Sequence, residues 1–297
     1  MGCSETALKT LIRSRAILRN ERERKQLELI KENDLHCETV KQKLKGLVET
    51  NQVWNFLKCG VERIFKTCRG CRTVTQFEYS CSLKWCPRCQ WKITERRRQL
   101  LAHWVKRISQ PKHLVLTQKN FPILTPTRLR EHQKNLARIR RLKCWKAVKG
   151  GCVSIEITNE DKGWHLHSHW LLDVRWLDMP EISREWGRLC GQEFAIVKIM
   201  DCRDSEYLQE VTKYVVEGSE LARWPAEHVA EFVSAIRGRR FFFSFGSLFK
   251  LGKEIRAEIE ADKPEAKPCE CGCCDFMFET EEQATINEVR QLSKKRR

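Results

Sequence analysis

The sequence predicts an α+β protein: a central antiparallel five-stranded sheet flanked by helices, with a small zinc-binding module beside it. Three observations predict this class. Short strands of period two alternate with helical segments between residues 113 and 246. Two of these strands follow one another directly, so they should form a hairpin. Cysteines paired at metal-binding spacing precede the first strand of the sheet.

Charge and composition narrow the class of function. The chain has 297 residues and a net charge of +17, from 56 Lys and Arg against 39 Asp and Glu. A surface that basic favours a polyanion, and nucleic acid is the usual one. No run of about 18 apolar residues could span a bilayer, and the N-terminus lacks the apolar segment of a secretory signal. We therefore expect a cytoplasmic protein with no membrane partner.

Composition divides the chain into four parts. Residues 1–50 are highly charged with a thin apolar stripe, which predicts an exposed helical extension. Residues 51–98 form the cysteine-rich zinc-binding module, and residues 99–255 hold the sheet domain. Residues 256–297 contain a second group of cysteines, whose spacing matches no common zinc pattern, and a basic end. We expect this last part to be a flexible tail.

Two C-x-x-C motifs separated by fourteen residues identify the zinc-binding module. Because no secretory signal accompanies the 16 cysteines, we interpret these pairs as metal thiolates rather than disulfides. Each motif can present two thiolates to one side of a Zn²⁺ ion, and two motifs complete a tetrahedron. The preferred ligands are Cys68, Cys71, Cys86 and Cys89. Cys81 could replace one of the first pair, and Cys59 could join the site.

Basic residues crowd this module. Several lie at helical spacing and could face phosphates, although a solvated helix face would show the same pattern. The candidates for nucleic-acid contacts here are Lys84, Arg88, Arg96 and Arg97. The helix predicted at residues 127–145 offers a second basic face.

Periodicity places the elements of the sheet domain. Residues 113–117 and 152–158 read as strands, and a turn-rich segment at 159–163 leads into the second hairpin strand at 163–172. Further strands are predicted at 193–200 and 239–246, with helices at 127–145, 179–189, 206–218 and 226–237. The first six elements fit the split β-α-β-β-α-β arrangement, an antiparallel sheet with helices on one face.

Three histidines alternate with other residues in the second hairpin strand. Side chains two apart on a strand point to the same face, so His165, His167 and His169 should form one row. Two neighbouring imidazoles can bind one metal ion, because each neutral ring offers a nitrogen lone pair. A histidine-rich strand satisfied by hydrogen bonds alone is the alternative.

Glu156 on the preceding strand could complete this site. An even number of loop residues, or one bulge, places it opposite His165 or His167 and on their face. A symmetric five-residue loop places it opposite Leu166 instead. A carboxylate with two imidazoles leaves open positions for water and substrate oxygens, and it suits Mg²⁺ or Mn²⁺ as a Lewis acid.

The helix predicted at residues 206–218 has two faces and ends at Gly218. The side chains expected to pack inward are Leu208, Val211 and Val215. Tyr207, Glu210 and Tyr214 form another stripe. A tyrosine and a carboxylate one turn apart can supply a nucleophile and a water-activating base, although tyrosines packed in a core have the same spacing.

In this order the motifs resemble those of the rolling-circle replication initiators (Rep proteins) of small plasmids, in the HUH endonuclease superfamily. Residues 113–120, HLVLTQKN, are similar to the first motif, a strand that closes on Thr-x-x-Asn. Residues 163–172 are similar to the metal motif, and residues 210–214, EVTKY, to the motif whose Lys-Tyr carries the nucleophile. Many members also have a cysteine segment that ends in Cys-Pro-x-Cys.

One position departs from the metal motif. Ser168 stands where that motif usually has a bulky apolar residue, if His167 and His169 are the ligands. If His165 and His167 are the ligands, Leu166 satisfies the motif. We prefer His167 and His169 because they directly precede the apolar run.

The resemblance implies an HUH endonuclease-like fold and a nickase of the single-tyrosine type. Tyr214 would attack single-stranded DNA at a plasmid origin, giving a 5′-phosphotyrosyl enzyme and a 3′-OH for a host polymerase and helicase. Mg²⁺ or Mn²⁺ would polarise the phosphate, assisted by Lys213 or Lys119, and Glu210 would activate water at termination. Asn120 is a further candidate DNA contact. The zinc-binding module would help to recognise the origin.

Two other functions would explain parts of the pattern. An HUH-type transposase of an insertion element shares the cysteine segment, but it normally needs a differently spaced tyrosine motif. A non-enzymatic zinc protein that binds nucleic acid would keep the cysteines and the charge. It would have no use for the combination of Glu156, His167, His169 and Tyr214.

Overall fold

The computed structural model describes residues 5–108, 110–160, 162–193, 195–202, 208, 211–212, 216–261, 271–272 and 275–280. For residues 5–20, 22–23, 26, 260 and 280 it describes the backbone alone. The helices in these ranges are α1 (Glu5–Leu44), α2 (Asn51–Lys58), α3 (Gln90–Val105), α4 (Pro126–Ile139), α5 (Met179–Leu189), α6 (Gly218–Arg223), α7 (Ala226–Ile236) and α8 (Gly246–Ala261). The strands are β1 (Arg63–Cys68), β2 (Val74–Glu78), β3 (Pro111–Thr117), β4 (Gly150–Glu160), β5 (Gly163–Asp173), β6 (Val197–Asp201), β7 (Phe242–Phe245) and β8 (Phe276–Thr280). None of these described helices is both long and apolar enough to cross a lipid bilayer.

Strands β3 to β7 form the predicted five-stranded sheet. Their spatial order is β6-β3-β5-β4-β7, and every neighbouring pair is antiparallel. The run β3-α4-β4-β5-α5-β6 is the split β-α-β-β-α-β arrangement. The fold class predicted from the sequence is therefore confirmed.

Alternation along β5 gives the sheet two different faces. The tryptophan face of β5 consists of Trp164, Leu166, Ser168, Trp170 and Leu172. The histidine face consists of His165, His167, His169, Leu171 and Asp173. Helices α4, α5 and α7 pack on the tryptophan face. Helices α3 and α8 cover part of the histidine face, because Leu171 and Cys152 are apolar there and need burial. The sequence predicted helices on one face only, and this prediction is wrong, because helices cover both faces of the sheet.

Several predicted boundaries also change. The helix predicted at residues 127–145 ends at Ile139, and one 3₁₀ turn, Lys143–Trp145, follows it. The strand predicted from residue 193 begins at Val197. Gly218 begins α6 instead of ending a helix, and a Cβ atom there would lie 2.8 Å from the Cβ atom of Pro87. The helix predicted at 179–189 is confirmed as α5.

The charged N-terminal segment is a long helix whose last turns belong to the main core. Cys37, Val40 and Leu44 are buried there. The Nζ atom of Lys41 donates to the Cys59 carbonyl at 2.7 Å, and that of Lys43 donates to the Trp224 carbonyl at 2.7 Å. The prediction that this extension is exposed is wrong for its C-terminal turns. These turns pack against α2, α6 and α7.

A smaller sheet joins the cysteine-rich segment to the tail. Its order is β2-β1-β8, with both pairs antiparallel. Strand β8 lies in the segment that was expected to be a flexible tail, so that expectation is corrected for residues 276–280.

Candidate active site and cysteine centre

The β4–β5 hairpin brings the predicted metal ligands to one face of the sheet. Its strands pair up to Glu160 and Gly163, with two residues of the sequence between them, and Glu156 lies opposite His167. The even-loop alternative is therefore the observed register. Gly163 has a φ of +89°, and a Cβ atom there would lie 2.6 Å from the Phe121 carbonyl oxygen, so the turn requires glycine.

Four imidazoles form a row on the histidine face. The ring centroids of His165 and His167 are 4.1 Å apart, and those of His167 and His169 are 6.3 Å apart. The buried ring of His113 on β3 stacks on His169, with centroids 5.6 Å apart. The predicted row of three is confirmed. His113 was missed as a member because the pairing of β3 with β5 is not visible along the chain.

Glu156 reaches across the strand pair to His169. Its Oε2 atom lies 2.9 Å from Nε2 of the imidazole, and the two residues are only 8% and 5% exposed. When Nε2–H donates to the carboxylate, Nδ1 carries the lone pair. This buried Nδ1 atom has no hydrogen-bond partner among the described residues. Imidazole nitrogen and carboxylate oxygen are ligand types that suit Mn²⁺ or Mg²⁺. Among the described residues, however, no three of the side chains of Glu156, His165, His167 and His169 bring ligand atoms within 4.8 Å of one another.

A second buried histidine supports the row from behind. His132 on α4 is 2% exposed, and its Nε2 atom lies 2.8 Å from the Ser168 hydroxyl on the tryptophan face. Its Nδ1 atom lies 3.2 Å from Oε1 of Gln118. An amide oxygen only accepts, so Nδ1–H donates to Gln118 and Nε2 accepts from Ser168. Burial lowers the pKa of His132 to about 3, which keeps the ring neutral. The buried Ser168 hydroxyl, between His167 and His169, is therefore satisfied by this partner.

The end of the first motif lies beside the histidine strand. Thr117 pairs with His167, and Phe121 exchanges backbone hydrogen bonds of 3.0 and 2.8 Å with Trp164. Lys119 and Asn120, which lie between them, are exposed. They line a cleft of about 580 Å³ whose basic side chains also include those of Arg128, Lys134 and Arg138.

The predicted nucleophile segment is described only in part. Tyr214, Glu210, Lys213, Tyr207 and Val215 lie outside the described residues. Leu208 and Val211 are buried with Leu171 and Cys152 of the histidine face. The prediction that Leu208 and Val211 pack inward is confirmed, because both belong to the buried cluster that also contains Leu171 and Cys152.

Four sulfur atoms meet beside the main core and form what we call the cysteine centre: Cys59, Cys81, Cys86 and Cys89. The Sγ atom of Cys59 lies 3.8 Å from that of Cys86 and 3.5 Å from that of Cys89, which in turn lies 3.7 Å from that of Cys81. Hydrogen bonds from Cys81 and Cys86 lower the pKa of Cys59 to about 7. Hydrogen bonds from Cys59, Cys81 and Cys86 also lower the pKa of Cys89. Four thiol sulfurs at these distances are a donor set for Zn²⁺.

The predicted ligand set for this centre needs a correction. Cys86 and Cys89 belong to it, and so do the two alternatives, Cys81 and Cys59. Cys68 and Cys71 do not, because the β1–β2 hairpin carries them to its far end. The same hairpin brings its two ends together, with the Gly60 amide donating to the Tyr79 carbonyl at 2.8 Å. Cys59 and Cys81 flank these ends and therefore meet.

The predicted nucleic-acid contacts fall into two groups. Lys84, Arg88 and Arg97 have partners within the protein. The Lys84 ammonium donates to the Arg239 carbonyl, and the Arg88 guanidinium pairs with Glu78 and, at 3.1 Å, with Asp34. The Arg97 guanidinium lies 4.8 Å from the Phe242 ring centroid, and burial lowers its pKa to about 10. The exposed group consists of Arg96, Lys119 and Asn120.

Comparison with known proteins identifies the central part of the chain. The model of a family described as "Replication protein" matches residues 73–177. These residues are therefore similar to a replication protein domain of that family. The resemblance to plasmid Rep initiators predicted from the motifs is confirmed. The matched residues include the histidine hairpin and Cys81, Cys86 and Cys89, whereas Cys59 and residues 210–214 lie outside the match.

One curated relative supports the same family. "Protein rep" of Streptococcus pneumoniae serotype 2 (strain D39 / NCTC 7466) is 27% identical to the chain over 215 residues. The similarity covers 63% of this chain and 65% of that protein. The chain thus spans about two thirds of the Rep relative that it matches. No solved structure shows significant similarity to the chain.

Proposed function

We propose that this chain starts plasmid rolling-circle replication as a metal-dependent nickase that cuts one DNA strand at the origin. The observation that carries the proposal is the imidazole row with the buried Glu156 carboxylate against His169. It lies within the part of the chain that matches the replication protein family. The net charge of +17 suits a DNA substrate.

The proposed chemistry is a transesterification by tyrosine. The phenol oxygen of Tyr214 attacks a phosphodiester of single-stranded DNA, the P–O3′ bond breaks, and the leaving oxygen takes up a proton as a 3′-OH. A phenol ordinarily ionises near pH 10, so a positive charge from Lys213 or Lys119 would favour loss of its proton. At termination, Glu210 would accept a proton from the water that takes the place of the tyrosine nucleophile.

The predicted metal ligands have the chemistry that a hard divalent cation prefers, and a small movement of their side chains would have to bring them together. His167, His169 and Glu156 would hold it, with His165 as the alternative imidazole. Mg²⁺ or Mn²⁺ bound there would supply a Lewis acid for the scissile phosphate. In the observed arrangement Glu156 orients the His169 ring through its hydrogen bond to Nε2. It would become a ligand of an ion on Nδ1 only by leaving that nitrogen.

The remaining surface would position DNA. The exposed side chains of Arg96, Lys119 and Asn120 and the basic cleft beside α4 can contact phosphates. The freed 3′-OH would be extended by a host polymerase with a helicase. The cysteine centre, with Zn²⁺ bound, would fix the start of α3, where this DNA-binding surface begins.

A covalent-adduct assay tests the proposal. We would incubate the protein with Mn²⁺ and a random-sequence pool of single-stranded oligonucleotides, run a denaturing gel, and sequence the DNA of any adduct. The chain has three tyrosines, so the matched variants are Tyr214→Phe, Tyr207→Phe and Tyr79→Phe. The adduct should disappear only with Tyr214→Phe. An adduct that persists in this variant excludes Tyr214 as the nucleophile.

The same assay separates the proposed function from its rivals. A transposase that uses a tyrosine pair would lose adduct formation in Tyr207→Phe as well. A non-enzymatic DNA-binding protein would shift the oligonucleotides on a native gel and form no adduct. Glu210→Ala should still form the adduct but fail to release it, and normal release would remove Glu210 from the mechanism.

A further inference from the structure

The smaller sheet joins two segments that are far apart in the chain. Strand β8 pairs with β1 in the register Cys68↔Phe276 and Lys66↔Phe278. Cys68, which ends this pairing, and Cys271, just ahead of β8, are separated by 203 positions. Closing so long a loop costs conformational entropy, so the pairing needs a stabilising interaction of its own.

The packing of this sheet provides little of that stabilisation. Every residue of β2 is exposed, and Phe77 and Phe278 are exposed although their ring centroids are 6.1 Å apart. Arg69 pairs with Asp275 at 3.5 Å, but both side chains are more than half exposed. Exposed ion pairs contribute little, and three short strands need an apolar face to be stable.

A second group of thiols lies at the point where the two segments meet. The Sγ atoms of Cys68, Cys71 and Cys271 all lie within 4.8 Å of one another. Those of Cys68 and Cys271 are 3.6 Å apart, far beyond a disulfide bond of about 2.0 Å. Two thiolates about 2.3 Å from one tetrahedral Zn²⁺ ion would be roughly 3.8 Å apart. The distance between Cys68 and Cys271 matches that of two ligands of one Zn²⁺ ion.

The turn that carries the first two thiols also has the form of a metal knuckle. Cys68 and Cys71 are a C-x-x-C pair, and the Arg72 amide donates to the Cys68 carbonyl at 3.0 Å. The backbone amides of Cys71 and Gly70 donate hydrogen bonds to the Cys68 sulfur. The Arg69 amide donates to the Asp275 carbonyl at 3.0 Å, which fixes the partner segment beside this turn.

We propose that Cys68, Cys71 and Cys271 bind a second structural Zn²⁺ ion, which fastens the segment at residues 271–280 to β1. This site shares no cysteine with the cysteine centre, and it does not depend on the nicking activity. Three thiolates leave one position of the tetrahedron. The nearest further cysteines in the sequence are Cys269, Cys273 and Cys274.

Metal content of the full chain tests the proposal. Protein purified under reducing conditions with added zinc should contain two ions per chain by mass spectrometry of the metal. Cys271→Ser should remove one of them and Cys86→Ser the other, while Cys144→Ser, outside both groups, should keep two. A second Zn²⁺ ion retained in Cys271→Ser, or only one ion in the wild-type chain, overturns the proposal.

A second measurement guards against misfolded variants and against a disulfide. In hydrogen exchange, Cys271→Ser should expose the amides of 276–280 while β3 and β5 keep their wild-type protection. Loss of protection throughout the sheet domain would mean that Cys271→Ser is unfolded. In that case Cys68→Ser would be tested instead, with Co²⁺ added in place of Zn²⁺. The thiolate-to-Co²⁺ charge-transfer absorbance of Cys68→Ser should be lower than that of the wild-type protein. A Cys68–Cys271 disulfide found by peptide mapping of reduced, zinc-loaded protein contradicts the site.

Discussion

The Ser168 hydroxyl donates to Nε2 of His132 across 2.8 Å, directly behind the strand that carries the imidazole row. His132 also donates to Gln118, which precedes Lys119 and Asn120 in the first motif. One buried, neutral imidazole therefore connects the first motif to the residue between His167 and His169. Such a connection holds both segments in a single arrangement.

Ser168→Ala should destabilise the protein by about 1–3 kcal/mol, because it leaves a buried acceptor of His132 without this donor. Urea unfolding measures the loss. Ser247→Ala is the control, since its hydroxyl lies 3.5 Å from Asp173 in a partly buried position, and it should change stability by no more than about 0.5 kcal/mol. Equal urea midpoints for the two variants would show that the Ser168 hydrogen bond does not contribute to stability.

Glu156→Gln should weaken Mn²⁺ binding by about 10- to 100-fold, because it removes a buried negative charge next to His169. Electron paramagnetic resonance of free Mn²⁺ measures this affinity independently of any DNA cleavage. Glu160→Gln, at the exposed end of the same strand, is the matched control and should bind Mn²⁺ like the wild type. Unchanged affinity in Glu156→Gln would exclude the carboxylate as a ligand or orienting group.

Gly163→Ala should destabilise the protein more than Gly191→Ala does. Both glycines have positive φ, of +89° and +70°, so alanine is strained at either position by about 1–2 kcal/mol. A Cβ atom at Gly163 also meets the Phe121 carbonyl at 2.6 Å, whereas nothing lies within 4 Å at Gly191. Thermal unfolding of both variants isolates the cost of this contact. A larger loss for Gly191→Ala would contradict the close approach at the hairpin.

Stability should fall with rising pH because of Glu220. Burial raises the pKa of its carboxyl group to about 7 from an ordinary value of 4.5. A raised pKa means that the folded state holds the proton more tightly, so the contribution is complete below the unfolded value of 4.5 and is lost as pH rises through about 7. Urea midpoints at about pH 5 and about pH 8 should differ less in Glu220→Gln than in the wild type. Glu227→Gln, at an exposed position of α7, should keep the wild-type difference.

Cys59→Ser should lower the thermal midpoint by at least about 5 °C, because the cysteine centre adjoins the main core and a lost ion there removes folding free energy. Cys68→Ser should lower it less, since the smaller sheet is largely exposed. Differential scanning calorimetry with equal zinc loading makes this comparison. If Cys68→Ser had the larger effect, the assignment of Cys59 rather than Cys68 to the cysteine centre would be wrong.

Local patterns predicted the sheet domain well. Alternation along 152–158 and 163–172 predicted the hairpin, and three histidines at period two predicted a row on one face. These predictions succeeded because side-chain direction on a strand depends only on the position along that strand. Leu208 and Val211 were predicted to pack inward by the same kind of argument.

Contacts between residues that are far apart in the sequence were harder to predict. The cysteine ligand set was predicted from adjacent C-x-x-C motifs, but the β1–β2 hairpin separates Cys68 from Cys86 and brings Cys59 to it instead. His132 and Ser168 are 36 positions apart and carried no signal of contact. The roles of Glu210, Lys213 and Tyr214 stay predictions.

By itself, the sequence determined the strand periodicity, the histidine row, the basic charge and the family motifs, because each depends on residues that are close along the chain or on composition. Only the tertiary structure decided that His113 joins the row, that Glu156 meets His169, and which cysteines lie together. These contacts depend on strand register and on the packing of distant segments, where burial of many side chains at once selects one arrangement.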